Sequence, residues 1–257
     1  MTSRRIMPLT EPERATHYPY DAPVDSFVIS GASYTTKLDA DFWDLRDRIA
    51  VLSVGSNRSP QQLLRKFGDD SYLPVTRALL KDCDVIHSAC FSYYGAVPCS
   101  AYPCKGTDIM LNAVWLTKDQ LQIMHDTEAV GIAYDYAVWH DRSVKIKDAV
   151  QPDAVYGYAT RLGYFPDQEG KPFALSSLAA ENRQFSPLSQ AQARTHLCAK
   201  LPEALRSEDD ATFLQKIVAD KPYRLAVNAA LAEMALPVPQ GPWQIIPATP
   251  LDADSFL

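Results

Sequence analysis

The stretch "VGSNRSP", residues 54–60, has the composition of an anion-binding turn. Gly55 permits backbone conformations that other residues avoid, and Ser56 and Asn57 favour turns in which several N–H groups point the same way. An apolar run precedes the turn and a helix pattern follows it, and the N–H groups at the start of a helix attract anions. The pattern predicts a pocket of backbone donors for a carboxylate or phosphate. The alternative is that these residues only connect a strand to a helix.

Glu128 is the second candidate, because a carboxylate on the buried stripe of a helix is unusual. In "LTKDQLQIMHDTE", Leu121 and Met124 mark that stripe, and Glu128 lies four residues after Met124. Burial raises the pKa of a carboxyl group unless a cation compensates its charge, and general acids and bases that work near neutral pH have this property. Alternatively, the residue lies in the last turn, where the stripe has ended, and points to solvent or pairs with an arginine.

Two phenols follow on a predicted strand. Tyr134 and Tyr136 occupy alternate positions, so they share a face and either hydrogen-bond a ligand or line an edge of the core. The phosphate-binding patterns G-x-x-x-x-G-K-[ST] and G-x-G-x-x-G are absent, and so is the G-x-S-x-G elbow of hydrolases. The sequence therefore disfavours nucleotide binding and serine-hydrolase chemistry.

Two predicted capping boxes mark the helices that position these candidates. Ser59 with Gln62 predicts a helix that begins immediately after the serine. Thr117 with Gln120 predicts a second helix, which continues to about Ala129. Five apolar or alternating runs predict strands, at residues 49–54, 84–94, 109–116, 134–140 and 154–163.

These elements predict a mixed α/β (α+β) domain with two flanking extensions. Residues 1–47 are polar and lack a sustained period, which favours an N-terminal extension wrapped on a core. Residues 48–165 carry the strands and both helices. Residues 166–257 begin with alanine- and leucine-rich segments, which predict a helical C-terminal extension packed on the core.

Composition limits the partners. The 257 residues carry a net charge of -6 with scattered positive residues, which disfavours nucleic acid and an anionic membrane surface. No apolar run is long enough to span a bilayer, and the N-terminus lacks a secretory pattern. We therefore expect a cytoplasmic protein with a small-molecule partner, and the oligomeric state stays open.

A metal site is the remaining alternative, since His87, Cys90, Cys99 and Cys104 could supply four zinc ligands. Their spacing departs from tight paired knuckles, and Cys90 lies in a strand-like run where cysteine behaves as a small hydrophobe. The odd number of five cysteines favours a reducing compartment. We predict no metal and no cofactor.

In order and separation, these motifs resemble those of the γ-glutamylcyclotransferase superfamily. Its members begin the domain with a strand that ends in a Tyr-Gly-Ser-Asn-Leu type motif, and their catalytic glutamate follows a helix and precedes a tyrosine-containing strand. The matching stretches are "SVGSNRSPQQL" and "LTKDQLQIMHDTEAVGIAYDY", and the resemblance covers roughly residues 49–163. It implies a γ-glutamylcyclotransferase-like mixed β-barrel or sheet with packed helices, here with a helical C-terminal extension.

The resemblance implies that backbone amides around Gly55, Ser56 and Asn57 hold the carboxylate of a substrate, and that Glu128 is the general acid/base. In that reaction the α-amine of a γ-glutamyl amide attacks its own γ-carbonyl. The products are 5-oxoproline and a released amine. The leading expectation is thus a cyclotransferase, an enzyme that acts on a γ-glutamyl compound.

The resemblance also implies that Tyr134 and Tyr136 line the substrate site. Two residues depart from the family pattern: Val54 replaces the usual tyrosine, and Arg58 stands where leucine is usual. The loss of a phenol at Val54 leaves the choice of substrate open. Arg58, at the predicted pocket mouth, either adds a contact to a carboxylate or is solvated.

Two other functions remain possible on these residues. The fold could be kept as a non-catalytic metabolite-binding or regulatory module. It could also be a structural scaffold whose pocket is filled by the segment "PWQIIPATP" near the C-terminus.

Overall fold

A large mixed sheet forms the framework of the protein. The computed structural model describes residues 2–36 and 44–247, and within them the chain is an α+β structure with two sheets and six α-helices. The larger sheet comprises β1 (Thr2–Arg5), β2 (Phe27–Ser30), β3 (Ser33–Thr36), β4 (Ile49–Ser53), β5 (Tyr72–Leu80), β8 (Asp108–Leu116), β9 (Tyr134–Trp139), β10 (Val144–Ile146), β11 (Val155–Thr160), β13 (Ala180–Glu181) and β15 (Trp243–Ile245). The smaller sheet comprises β6 (Cys83–His87), β7 (Cys99–Pro103), β12 (Ala174–Leu175) and β14 (Pro187–Leu188).

Three of the described α-helices precede β9 in the chain and three follow β14. They are α1 (Glu11–Thr16), α2 (Pro60–Phe67), α3 (Lys118–Thr127), α4 (Gln190–Lys200), α5 (Asp210–Ala219) and α6 (Lys221–Met234). Short 3-10 helices add Ser56–Arg58 and Glu203–Leu205. None of the helices in the described ranges has the length and apolar character that crossing a bilayer requires.

The topology places β4 in the middle of the larger sheet. The strand order is β1-β3-β2-β5-β8-β4-β11-β9-β15, with β10 beside β5 and β13 beside β8. β4 runs antiparallel to β8 and parallel to β11. Its residues 50–53 are buried, as expected for a strand with neighbours on both sides. The turn after β4 therefore leaves from the centre of the sheet.

The five predicted strands are confirmed as β4, β6, β8, β9 and β11, with one change of length. β6 ends at His87. The N–H of Ser88 still donates to the carbonyl of Pro98, in the register of the β6–β7 pair. The rest of that apolar run is irregular and reaches Tyr94 without joining a sheet. These residues instead face the C-terminal helices, since Ala89 and Phe91 pack in one core cluster with α4, α5 and α6.

Both predicted extensions contribute strands to the larger sheet. In the N-terminal one, β2 pairs with β5 and β3 pairs with both β2 and β1. In the C-terminal one, α4 to α6 match the predicted helical segments, while β15 pairs with β9. The boundaries predicted after residues 47 and 165 therefore do not interrupt this sheet.

Of the two predicted capping boxes, one is confirmed. Thr117 accepts a hydrogen bond from the N–H of Gln120 (3.3 Å), whose side chain accepts one from the N–H of Thr117 (3.0 Å). The box predicted at Ser59 is wrong, because the Ser59 hydroxyl donates to Gln61 Oε1 (2.6 Å) and caps no N–H. The helix still begins there, since Pro60 has no N–H to satisfy at the first helical position.

Candidate functional site

Glu128 lies directly after α3, between that helix and the Gly-Ser-Asn turn. Its N–H donates to the carbonyl of Met124 (3.0 Å), which fixes the backbone at the end of the helix. Its side chain is 16% exposed, and Oε1 accepts hydrogen bonds from Asn57 Nδ2 (2.9 Å) and from Lys66 Nζ. No described residue donates a hydrogen bond to Oε2, so this oxygen is open to a ligand.

Lys66 is the cation that compensates Glu128, whereas the sequence alternative is a pair with an arginine. It follows Leu63 by three residues on α2, so it lies on the buried face of that helix. Only 2% of its side chain is exposed, and burial lowers the pKa of Lys66 although the neighbouring carboxylate opposes the shift. The ion pair therefore joins the buried face of α2 to the residue that follows α3.

A cavity of about 600 Å³ opens beside this ion pair. Its lining includes Glu128, Lys66, Ser56, Tyr134 and, from the N-terminal segment, Tyr18. Further walls come from the irregular segment after β6 and from α6. Small-molecule sites in proteins usually have volumes in this range, with apolar walls and a few polar groups.

The rest of the turn lines a second, much smaller chamber of about 40 Å³. Val54, Gly55 and Asn57 border this chamber, which shares Ser56 and Glu128 with the large cavity. It has room for about one or two water molecules. Ser56 is thus the residue of the turn that borders both spaces.

The turn carries unsatisfied backbone donors. The first N–H groups of a short helix have no partner within it. Among the described residues, no hydrogen bond involves the backbone N–H of Gly55, Ser56 or Asn57 as donor. Asn57 Oδ1 is also buried without a partner among them. These groups can serve a ligand or water.

Gly55 is required for a reason that the sequence does not show. Its φ is −112°, so the turn does not use a left-handed conformation. A Cβ at this position would lie 2.4 Å from the Tyr18 hydroxyl and 3.0 Å from Cys99 Sγ. The glycine therefore also permits a close approach of the N-terminal segment.

The two tyrosines of β9 have different surroundings. Tyr134 lines both cavities, and its hydroxyl lies 3.4 Å from the carbonyl oxygen of Cys99. Tyr136 lines neither, because its ring stacks on Tyr156 with centroids 5.4 Å apart and contacts the ring of His125. Tyr134 is thus placed to meet a ligand, whereas Tyr136 belongs to an aromatic cluster of the core.

Arg58 also lines neither cavity. Its Nε donates to Asn112 Oδ1 (2.9 Å), and burial lowers the pKa of Arg58 to about 10. The side chain anchors the 3-10 helix to β8, so the structure places it away from the pocket mouth at which the sequence predicts it.

Tyr18 is a site residue that sequence reasoning misses. Its hydroxyl accepts a hydrogen bond from the N–H of Cys99 (3.2 Å) and lies 3.3 Å from Cys99 Sγ. Burial raises its pKa well above the ordinary value, so the phenol stays neutral. Its segment is polar, rich in proline and without period, so no local pattern predicts this contact. Lys66, by contrast, has a signal: like Glu128, it is a charge at a helix position three or four residues from a buried apolar one.

Three of the four residues weighed as metal ligands, His87, Cys99 and Cys104, have hydrogen-bond partners within the protein. His87 Nε2 lies 2.9 Å from the carbonyl oxygen of Leu188, and Cys104 Sγ lies 3.1 Å from Thr107 Oγ1. All five thiols are free, and burial raises the pKa of Cys90 and of Cys99 to about 12. Across residues 2–36 and 44–247, no group of three or more His, Cys, Asp or Glu residues could hold a metal ion.

The charge of the large cavity is positive. Arg65, Arg161 and Arg224 line it together with Lys66, whereas Glu128 is the acidic residue in its lining. Arg224 is 7% exposed and donates from Nη1 to a backbone carbonyl (2.7 Å). A ligand with a further positive charge is therefore disfavoured here.

The C-terminal segment that could fill the pocket is partly described. Its residues 243–245 form β15 against β9, and Trp243 packs on Trp139 with ring centroids 5.0 Å apart. The cavity lining includes Pro237 but none of these strand residues. Residues 248–250 of the segment lie outside the described residues.

Fold and site together define an α+β protein with a cavity beside an ion pair between a buried lysine and a partly buried glutamate. Compared with known proteins, the chain matches no family model, no curated protein and no solved structure.

Proposed function

We propose that the protein is a γ-glutamylcyclotransferase-like enzyme, which cyclises a γ-glutamyl amide to 5-oxoproline and releases an amine. The observation that carries the proposal is the open Oε2 of Glu128 at the border between the large cavity and the Gly-Ser-Asn turn. The order of the elements also supports it: β4, turn and α2 come first, and α3, Glu128 and β9 follow. The finer description of the fold as γ-glutamylcyclotransferase-like is part of this proposal.

Glu128 would act as both base and acid. It takes a proton from the α-ammonium group of the substrate, and the neutral nitrogen attacks the γ-carbonyl carbon. The new C–N bond closes the five-membered ring, and collapse of the tetrahedral intermediate breaks the original amide C–N bond. Of the three ammonium protons, one stays on the ring nitrogen and two end on the released amine, so Glu128 returns to its initial state.

The neighbouring groups would position the reactants. The α-carboxylate lies beside Ser56, whose N–H has no partner among the described residues. Tyr134 and Tyr18 keep neutral phenols at the cavity wall, because burial raises the pKa of both. Asn57 and Lys66 both bind Oε1, and these two contacts fix the orientation of the carboxylate. Oε2 is then free to exchange a proton with the substrate.

The test is 5-oxoproline release from a panel of γ-glutamyl amino acids and γ-glutamyl amines. Wild type is compared with Glu128→Gln and with Glu181→Gln, which neutralises an exposed glutamate outside the cavity. We expect Glu128→Gln to lower the rate by about 10²- to 10⁴-fold, and Glu181→Gln to match wild type. The double variant Lys66→Met/Glu128→Gln removes both charges and serves as a second inactive form if the single variant folds poorly.

Full activity in folded Glu128→Gln would disprove the role of this residue. A folded wild type that releases no 5-oxoproline from any compound would favour the second function, a metabolite-binding or regulatory module.

Two observations favour that second function. Val54 borders the small chamber and offers no phenol there. The buried Lys66 ammonium already neutralises Glu128, as it would in a purely structural pair. Tight binding of a γ-glutamyl compound that is recovered unchanged would distinguish the module from the enzyme.

A further inference from the structure

α6 forms a wall of the large cavity with one face of the helix. Leu225, Asn228, Ala229 and Ala232 line the cavity, and their spacing of three or four residues keeps them on one side. The opposite face carries Val227 and Leu231, which pack with α4 and α5. The wall is therefore backed by packed helices, and its cavity face presents Leu225 and two alanines beside the cationic side chain of Arg224.

Asn228 fixes the distance between this wall and the core. Its Oδ1 accepts a hydrogen bond from the N–H of Phe91 (2.8 Å), and its Nδ2 donates to the carbonyl of the same residue (2.9 Å). Because the oxygen and the nitrogen of the amide each bind Phe91, the orientation of the Asn228 side chain is fixed. It clamps the irregular segment 89–98 to α6 and so keeps the space between them open.

The space is larger and more apolar than a γ-glutamyl group requires. Beyond the polar groups near Glu128, its lining includes Phe91, Ile132 and Leu162 as well as the α6 face. The cationic side chains also have protein partners: Arg161 pairs with Asp135 (2.8 Å). Apolar walls of this kind favour an apolar ligand body, and the excess of cationic side chains disfavours a second positive charge.

We propose that the leaving amine of the substrate carries a bulky, uncharged apolar group, of about the size of an aromatic ring, which lies against the Ala229–Ala232 face of α6. This inference rests on the proposed function, because it names the leaving group of that reaction. The γ-glutamyl part lies at Glu128 and Ser56, and the amine part extends along α6. The C-terminal helices thereby determine specificity, while the turn and Glu128 perform the chemistry.

Three synthetic conjugates separate the possibilities: γ-glutamyl-2-phenylethylamide, γ-glutamylmethylamide and γ-glutamyl-4-aminobutylamide. We expect kcat/KM for the phenylethyl compound to exceed that for the methyl compound by about 10- to 100-fold. The aminobutyl compound, which carries a second positive charge, should be the poorest of the three.

Variants that fill the wall test the location. Ala229→Phe and Ala232→Phe should lower kcat/KM for the phenylethyl compound far more than for the methyl compound, and so remove most of the preference between them. The matched control is Ala226→Phe, an exposed alanine of the same helix outside the cavity lining. It should keep the wild-type preference.

Calorimetric binding of the three conjugates to Glu128→Gln makes the two proposals separable. A preference for the phenylethyl compound in binding, abolished by a second Ala229→Phe change but without turnover by wild type, would overturn the reaction and support the apolar site. Equal turnover of all three compounds by wild type would overturn the apolar site and support the reaction. Absence of both binding and turnover would overturn both.

Discussion

At the scale of single residues, the pairing of Lys66 with Glu128 determines what the site can do. The lysine is almost fully enclosed and the carboxylate keeps a free oxygen on the cavity side. Removing one partner of a buried pair leaves a charge without compensation, which is far more costly than removing both. The pair therefore has one function in stability and another in chemistry, and the two can be measured separately.

We expect Glu128→Gln to lower the free energy of unfolding at pH 7 by about 3 kcal/mol, because the Lys66 ammonium stays buried without its anion. The double variant Lys66→Met/Glu128→Gln should recover most of that loss while remaining inactive. Urea denaturation of wild type, both single variants and the double variant gives the coupling. Additive losses in the double variant would show that the two charges do not stabilise each other.

At the scale of elements, a buried histidine on β6 makes the unfolding free energy depend on pH through the smaller sheet. His87 ends β6, and its Nε2 lies beside the carbonyl oxygen of Leu188 on β14. Burial lowers the pKa of His87 to about 4. In the unfolded chain the residue titrates near 6.5, so the unfolded state binds the proton first as the pH falls.

The neutral His87 thus contributes stability that is complete above about pH 6.5 and is lost as the pH falls to about 4. The loss amounts to roughly 3 kcal/mol. In His87→Gln, which keeps a donor for Leu188 but cannot titrate, the fall in unfolding free energy between pH 7 and pH 4 should be smaller by about that amount. Equal falls in wild type and variant, measured by chemical denaturation at both pH values, would contradict this.

Elements with a strong local period could be predicted from the sequence, and contacts between distant segments could not. The apolar runs of β4 and β8 and the capping box at Thr117 are local signals, and each is found where the pattern places it. β2 has no such signal, since it is a strand of four residues whose pairing with β5 joins segments far apart in the chain.

The same distinction holds for the site. Glu128 can be found because a carboxylate in register with the buried stripe of the predicted helix is anomalous. The turn can be found from its composition. Tyr18 and Cys99 cannot, since they meet the turn through a long-range contact, and Gly55 has its role only through them. The capping box predicted at Ser59 does not form for a local reason. The Ser59 hydroxyl, which would cap the helix, donates to the side chain of Gln61 instead.

At the scale of the whole molecule, the cavity belongs to several parts of the chain at once. The N-terminal segment supplies Tyr18, the central region supplies the turn, Glu128 and Tyr134, and the C-terminal helices supply the outer wall. The chain has a net charge of -6, yet this cavity is lined by four cationic side chains and one carboxylate. The local field therefore opposes the overall charge, which favours neutral or anionic ligands at this one place.

The most direct measurement is a crystal structure of the Glu128→Gln variant with bound γ-glutamyl-2-phenylethylamide. The proposed reaction predicts the α-nitrogen of the ligand within hydrogen-bond distance of the substituted amide side chain, the α-carboxylate beside Ser56 and the phenyl ring against Ala229. A γ-glutamyl group bound with its α-nitrogen and γ-carbonyl away from that side chain would contradict the assignment of Glu128 as the group that carries the proton.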